Sequence, residues 1–456
     1  MRLASRGRVH RSSRSSNQQT EGWAECMLQA VVDQNGEAFS DLIKEMDSII
    51  PQSEILNMPE TVMSAILQNK LRALGLVSAP EAAFKRLLLE FLRLRQLSGT
   101  CKWGEVVRQC VLLLSLYVDV YVEVPAASCG WLVPGLAVLC NLMNRAALAA
   151  DAATDDSQEM LEETEGAAEA EEAQNRYTKE VLNAIRPKLG KVRGEEGRHG
   201  AYVVLLGQSI KRCLQLGNMQ MAAGFLKLCD SRQINFSHAP RGPMVNFRYY
   251  LGRLYMQQEQ FEQVLRLGGG EGFRGAQSEC TDARSACMSF LGEAVRQVVA
   301  ASLVRLSPLS LQSESELVWA FSNCPSLKMR VRRNILECLV AARLRLGKLP
   351  SAALLQKYQM AHYLGIIKAM KTGNLSLFDK AMEENESIFI KHGTILCIER
   401  LKFIVFRTMM KRMKEWWVKS GLASKANIVP IQVFTAAIKW QTDDLFDDDE
   451  VSDAHG

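Results

Sequence analysis

The sequence has few histidines, and its cysteines are not spaced as metal ligands. Twelve cysteines stand singly on apolar stretches, no two of them form a Cys-x-x-Cys pair, and the six histidines lie apart from them. Protein metal centres need several thiolates or imidazoles at short spacing, so we expect no metal site and no cofactor. Isolated cysteines in apolar surroundings favour buried, reduced thiols in a cytosolic or nuclear protein.

Catalytic motifs are also absent. There is no P-loop, no Gly-x-Ser-x-Gly elbow and no His-Glu-x-x-His. Residues 268–275 contain a formal G-x-G-x-x-G, but a helical pattern precedes it where a dinucleotide site needs a strand, which indicates a linker. His362 and His392 lie in helical patterns and are interpreted as packing or capping residues. We therefore predict a protein that is not an enzyme, and a nucleotide-binding enzyme stays open only through the glycine-rich segment.

No apolar run is long enough to cross a bilayer. The nearest candidate, residues 131–143, contains Pro134. It falls short of the roughly 18 residues that a spanning helix needs, so we expect no membrane span.

The first twenty residues form a basic segment. Residues 1–20 carry five arginines among serines, with no acidic residue and no apolar core of a secretory signal. We interpret them as a disordered basic arm, and a transit peptide, a nuclear-import signal or an RNA-contacting tail stay open as alternatives. The net charge of +5 is too small to predict nucleic-acid binding by itself.

Apolar residues recur at helical spacing along most of the chain. Between residues 332 and 346 they mark one helical face, made by Ile335, Leu336, Leu339, Val340 and Leu344. Short helices that carry a single apolar stripe must stack on their neighbours to bury it. The sequence therefore predicts an all-α fold, a helical-repeat solenoid of the tetratricopeptide type. The β-branched run at 117–124 is also predicted as helix, because its neighbours are helical.

The last long helix is predicted over residues 394–418 and has two faces. At 100° per residue, Ile398, Val405, Met409 and Trp416 share the apolar face. The opposite face carries a basic set, namely Arg400, Arg407, Lys411 and Lys414. Such a stripe is either a solvated surface or a cradle for an acidic partner or a phosphate backbone, and the sequence physics leaves both open.

Several segments of the second half together resemble a PCI domain, the helical-repeat and winged-helix module found in subunits of the proteasome lid, the signalosome and the third translation initiation factor. The segments that carry the resemblance are 246–253 with Phe261, 332–335, 354–358, 371–378, 389–393, and 399–402 with Arg407. Within that superfamily they look most like the PCI subunit of the nuclear transcription-and-export complex. The resemblance covers about residues 201–440, and the N-terminal part shares only its helical character.

The resemblance implies a scaffold in messenger-RNA export. Its expected partners are a large helical export scaffold protein and a small acidic polypeptide shared with the proteasome lid, together with RNA or DNA at Arg400, Arg407, Lys411 and Lys414. The expected location is the nucleus, at nuclear pores, with some protein in the cytoplasm. The alternative is a PCI subunit of a signalosome or proteasome-lid type assembly that acts only through protein contacts.

Two departures from the family pattern shape the predicted domains. An insertion at 268–315 separates two helical segments, and an acidic run stands where the rest of a winged helix is expected, so this module is predicted to be partial. Residues 151–172 carry ten acidic residues and no basic one, which indicates a second insertion. The predicted organisation is a basic arm at 1–20, an N-terminal helical region at 21–200, helical repeats of the PCI module at 201–393, a long basic helix and the start of a winged helix at 394–441, and an acidic tail at 442–456.

Overall fold

The computed structural model shows helices joined by short loops. It describes residues 18–74, 79–100, 102–159, 175–194, 196–230, 239–268 and 308–421, together with residues 429, 433, 436, 437 and 441. None of these residues lies in a β-strand, so the prediction of an all-α, helical-repeat fold is confirmed. The chain divides into two compact units, Met1–Phe247 and Arg248–Gly456. The predicted start of the repeat module at residue 201 stays a prediction.

The described α-helices of the first unit are α1 (Gln18–Val32), α2 (Gly36–Lys44), α3 (Met46–Ile49), α4 (Gln52–Ile55), α5 (Glu60–Ala73), α6 (Ala79–Ser98), α7 (Trp103–Glu123), α8 (Val133–Glu159), α9 (Arg176–Arg193), α10 (His199–Gln215) and α11 (Met219–Asp230). Sequential helices pack on one another, as α6 on α7, α7 on α8 and α9 on α10. α7 contains nearly all of the β-branched run, which is therefore helical as predicted. Every residue in 201–210 is buried, which makes α10 a core helix on all sides.

The acidic segment predicted as an insertion at 151–172 begins inside a helix. α8 continues to Glu159, and the buried Asp151 caps the start of α9. Its carboxylate accepts hydrogen bonds from Tyr177 N at 2.8 Å and from Thr178 N and Oγ1 at 3.1 and 2.6 Å. Asp151 at the start of the predicted insertion is thus part of the fold, because the first amides of a helix lack partners within it and its carboxylate supplies them.

Among the residues that the structure describes, one segment is long and apolar enough to cross a membrane. It runs over Cys129–Thr154 with a mean hydropathy of 1.4, and 56% of its most apolar window is buried in the fold. Buried core helices can be as long and as apolar, so this is a weak indication of a span. The expectation that the chain has no span stays a prediction.

Helical hairpins build the second unit. Its described helices are α12 (Arg241–Gly268), in which the unit boundary falls, and α13 (Pro308–Asn323), α14 (Met329–Arg345), α15 (Ala352–Lys357), α16 (His362–Thr372), α17 (Leu375–His392), α18 (Ile395–Glu399) and α19 (Lys402–Lys419). α13 packs on α14, α16 packs on α17, and α19 packs on both α16 and α17. Gly347, Gly373 and Gly393 follow the ends of α14, α16 and α17 with φ of 74°, 68° and 66°, the left-handed conformation that commonly ends a helix.

The predicted insertion at 268–315 is too long at its C-terminal end. Residues 308–315 form the first half of α13, and buried Ser313 donates a hydrogen bond from Oγ to the Gly252 carbonyl at 2.8 Å. A Cβ at Gly252 would lie 2.7 Å from Leu317, so α12 and α13 are in close contact. The serine-rich sequence resembles a linker, but tertiary packing makes it a helix.

The predicted long helix over 394–418 is broken at Arg400 and Leu401. Both residues have shallow ψ angles, −15° and −18°, and the amides of Leu401 and Ile404 bond three residues back at 2.8 Å, which is a 3-10 turn. α18 packs on α14 and α17, whereas α19 packs on α16 and α17. We infer that the chain bends there because the two segments bury their apolar faces against different neighbours.

Several predicted segments lie outside the described residues. They are 1–17 of the basic arm, 269–275 of the glycine-rich segment, 160–172 of the acidic insertion and the tail at 442–456. α1 begins at Gln18, three residues before the predicted arm ends. In the predicted winged-helix segment, Val433, Ala436, Ala437 and Gln441 are helical.

Buried thiols are common in the described part of the chain. Cys110, Cys129, Cys140, Cys213, Cys324, Cys338 and Cys397 are buried, and Cys26 is exposed. Burial raises the pKa of both Cys110 and Cys140 to about 12, which keeps these thiols protonated.

Candidate nucleic-acid interface

The N-terminal half of α19 is anchored by its apolar face. Val405 and Met409 are buried, and Lys402 Nζ forms an ion pair with Asp379 of α17 at 2.9 Å. The spacing of four residues between Val405 and Met409 places both on the side that faces α16 and α17. This half of the helix therefore has a fixed position on the repeats.

A tight turn between α16 and α17 sets how closely α19 approaches. A Cβ added at Gly373 would lie 2.6 Å from the backbone nitrogen of Met409, so only glycine fits there without a shift. Asn374 then caps α17, since its Oδ1 accepts a hydrogen bond from Leu377 N at 2.8 Å. Leu375 N donates to Gln441 Oε1 at 2.9 Å, which ties the same turn to the last described helical residue.

Three of the four predicted contact residues share one face of α19. Arg407, Lys411 and Lys414 are exposed and follow each other at spacings of four and three, the spacing of neighbours on a helix surface. Lys411 Nζ lies 4.0 Å from Glu415 Oε1, an exposed pair that holds the lysine weakly. We call these three residues the basic stripe.

Arg400 does not belong to the basic stripe. It is half-buried and follows the last residue of α18, because the 3-10 turn at residues 400 and 401 separates it from α19. The prediction that all four basic residues share one helix is therefore wrong for Arg400. Regular spacing over the whole segment gave no sign of the break.

Sequence reasoning missed the exposed end of the same helix. No residue from 411 to 421 is buried within the described structure, and Trp416, predicted on the buried face, is 55% exposed. α19 carries six basic residues and one acidic residue, so its field is strongly positive. The sequence did indicate that this end is exposed, since Arg412 and Lys419 interrupt the apolar face there.

The side chain of His362 is buried between helices, and His392 is half-buried at the end of α17. His362 Nε2 lies 3.0 Å from Glu337 Oε2, both side chains are nearly inaccessible, and the imidazole packs on Tyr363 and Phe389. Burial lowers the pKa of His392, the last residue of α17. Among the described residues, no three His, Cys, Asp or Glu side chains are grouped as metal ligands. These contacts match packing roles.

Comparison with known proteins gives matches over part of the chain. No family model matches it. A PCI domain-containing protein 2 homologue of Dictyostelium discoideum is 32% identical over 139 residues, which is 30% of this chain and 31% of that protein. A homologue of the same name from Caenorhabditis elegans is 34% identical over 128 residues, 28% and 29% of the two chains. These matches support a PCI-domain protein.

The matches cover only part of each protein. The chain spans less than a third of the length of these two PCI relatives. The enhanced ethylene response protein 5 of Arabidopsis thaliana aligns over more, 54% of this chain and 47% of that protein, at 25% identity. PCI-domain proteins are generally scaffolds without catalytic activity, and the matches support a protein of that type.

The residues that carry the PCI resemblance build the fold. The guanidinium of Arg332 lies 4.5 Å from the Phe321 ring centre, and Arg248 lies 4.6 Å from the Trp319 ring centre. Arg248 also pairs with Glu316 at 2.9 Å. Together with Gly373 and Gly393, these residues join helices and shape turns. The basic stripe, apart from Arg407, lies outside the resembling segments.

Proposed function

We propose that this chain is a non-enzymatic scaffold subunit of a nuclear complex that couples transcription to messenger-RNA export. The observation that carries the nucleic-acid part is the basic stripe, three exposed cations on one face of a helix whose other half is fixed. The partial match to PCI domain-containing proteins supports the scaffold part. In this proposal the protein acts in the nucleus, at nuclear pores, with some in the cytoplasm.

The basic stripe suits a phosphate backbone. Cations at positions four and three residues apart follow a line along the helix, and a backbone of RNA or DNA offers regularly spaced negative charges. Such contacts carry no base specificity, so binding would be independent of sequence and sensitive to salt. Removing one cation that binds a phosphate should reduce the salt slope by roughly 0.7 for a single strand.

Protein partners need a surface of their own. Exposed apolar side chains stand on α16, α17 and α18, namely Leu364, Ile390 and Leu396. Larger exposed apolar surfaces mark interaction sites, and these residues are our candidates for contact with the large helical partner. The small acidic polypeptide is proposed to bind the second unit through basic side chains outside the basic stripe.

An affinity pull-down of the full chain from nuclear extract tests the proposal. We expect a large helical export scaffold and a small acidic protein among the bound proteins, with RNA that is lost steeply as salt is raised. Recovery of signalosome or proteasome-lid subunits without RNA would retain the PCI scaffold and reject the export role.

A charge-reversal variant tests the basic stripe directly. The triple variant Arg407→Glu, Lys411→Glu, Lys414→Glu should lose at least tenfold in affinity for RNA, and its salt slope should fall by roughly two. The matched control is Arg330→Glu, Lys380→Glu, Lys391→Glu, which changes the net charge equally at exposed positions on α14 and α17. Equal losses in the two variants would show that net charge, and not the basic stripe, determines binding.

A further inference from the structure

The C-terminal half of α19 presents an aromatic side chain to solvent. Trp416 is 55% exposed, and its ring lies 6.4 Å from that of Trp417 at an angle of 48°. Large aromatic side chains are rarely left exposed in isolation, because burying them stabilises a fold substantially. More than half of the surface of Trp416 is exposed, so part of its indole is available to a ligand.

Two cations flank this tryptophan on its own side of the helix. Arg412 precedes Trp416 by four residues and Lys419 follows it by three, so both side chains are its neighbours on the helix surface. Both are exposed, and neither pairs with a carboxylate in the described part of the chain. The basic stripe lies on the opposite side, 140° or more around the helix from Trp416 by the 100° rule.

We propose that Trp416, Arg412 and Lys419 form a stacking site for one unpaired base of RNA or DNA. The base stacks on the indole face, and the cations bind the phosphates on either side of it. This inference rests on the proposed contact with nucleic acid and extends it, because it names single strands as the preferred form. Bases within a duplex are already stacked on each other and do not reach a side chain on a helix surface.

The composition of this surface favours a nucleic acid over a protein helix. An amphipathic partner helix needs an apolar stripe that continues over several turns. The partly exposed apolar stripe of α19, formed by Phe403, Phe406, Met410, Met413 and Trp417, lies 60° or more around the helix from Trp416. Trp416 stands beside that stripe, with Arg412 and Lys419 on its other side. An exposed aromatic ring between cations is the arrangement that single-strand binding proteins use, in which stacking and phosphate contacts act together.

The test measures binding of three labelled probes to the full chain by fluorescence anisotropy. The probes are an oligouridylate of about 15 nucleotides, an abasic strand of the same length and a duplex of the same length. We expect Trp416→Ala to weaken binding of the oligouridylate about tenfold, as for loss of one stacked base, without a change in salt slope. Binding of the abasic strand and the duplex should stay within twofold, and Trp416→Phe should retain most of the affinity.

Two controls separate stacking from charge and from folding. Val418→Ala changes an exposed apolar side chain on the other side of the helix and should leave all three affinities unchanged. The double variant Arg412→Gln, Lys419→Gln should weaken binding of both single strands and lower the salt slope by roughly 1.4, which is roughly 0.7 for each cation. Circular dichroism and thermal unfolding should be the same for all variants as for the unchanged chain.

The outcomes separate this inference from the proposed function. If the oligouridylate binds and responds to the basic-stripe variant but not to Trp416→Ala, the contact with nucleic acid stands and the stacking site is rejected. Equal weakening of all three probes by Trp416→Ala would also reject stacking. If no probe binds the unchanged chain, the nucleic-acid function fails and this site fails with it. Loss of a protein partner from Trp416→Ala, with unchanged oligonucleotide affinity, would assign the patch to protein contact and overturn the inference.

Discussion

The two halves of α19 differ in almost every physical respect. The first half buries Val405 and Met409, pairs Lys402 with Asp379 and passes so close to Gly373 that a side chain there would collide with its backbone. The second half buries nothing from 411 to 421 and carries most of the cations. A continuous helix thus serves as both anchor and exposed arm, so changes at one end should alter stability and changes at the other should alter binding.

The family resemblance follows the same division between the two halves of α19. The resembling segments include the turn at 371–378 that holds the anchored half, and they end before the exposed half. Close packing restricts which residues fit, because interiors are packed as densely as organic crystals. An exposed helix end tolerates many residue types, because no neighbouring surface restricts them.

The largest loss of stability is expected from a change at Gly373, in the turn that contacts the anchored half of α19. Gly373→Ala forces a Cβ at a φ of 68° and places it 2.6 Å from Met409 N, so the turn or α19 must shift. We expect a loss of about 3 kcal/mol or more in the free energy of unfolding, measured by urea titration.

A second glycine provides the matched control for this variant. Gly347 has a φ of 74° but nothing within 4 Å of an added Cβ. Gly347→Ala should therefore cost only the backbone strain, about 1 kcal/mol. Equal losses in the two variants would mean that the close approach to α19 does not matter.

Two methionines, one in each half of α19, allow the contribution of each half to stability to be compared. Met409 is buried and Met413 is only partly covered, one turn further along. Met409→Ala should lose about 2–3 kcal/mol of unfolding free energy, because it leaves a cavity in the contact with α16 and α17. Met413→Ala should lose less than about 1 kcal/mol. A large loss at Met413 would show that the second half is also packed in solution.

The smallest loss in unfolding free energy is expected from a change in an ion-pair cluster outside α19. Glu314 accepts hydrogen bonds from Lys348 at 2.6 Å and Arg343 at 3.1 Å. Burial alone would raise its pKa, but the bonds to Lys348 and Arg343 lower it overall. Glu314→Gln should therefore lose about 1 kcal/mol at pH 7, since the basic partners are partly exposed.

The pH dependence of the stability difference shows whether the charge of Glu314 causes the loss. A carboxyl whose pKa is lower in the folded state contributes stability above its ordinary pKa, and this contribution is lost as pH falls through the folded value. The difference between the unchanged chain and Glu314→Gln should thus shrink as pH falls below the ordinary glutamate pKa of 4.5. The exposed Glu384→Gln serves as control and should show a difference near zero throughout. A difference that is independent of pH would assign the loss to packing.

Periodicity predicted most of the helices, because a single buried stripe leaves a clear trace in the sequence. It failed where the burial partner changes along a segment. The break at Arg400 and Leu401 arises from a switch of packing neighbours, and residues 308–315 are helical through contacts with α12. Neither cause is local, so neither can be read from residue spacing.

In the candidate site, too, some features follow from the sequence and others from tertiary contacts. The positions of Arg407, Lys411 and Lys414 on one face follow from spacing alone, since a helix fixes the direction of residues three and four apart. Whether that face is exposed, and whether Trp416 is covered, depends on where the neighbouring helices end. The pairing of His362 with Glu337 likewise joins residues 25 apart in sequence.

The sequence by itself therefore determined most of the helices, the all-α class and the direction of the basic stripe, because these depend on local geometry and on apolar periodicity. The tertiary structure decided the bend that removes Arg400 from the basic stripe, the burial of Asp151 and the exposure of Trp416. These features depend on which surfaces meet, and the same apolar or charged residue has a different role according to whether a neighbour covers it.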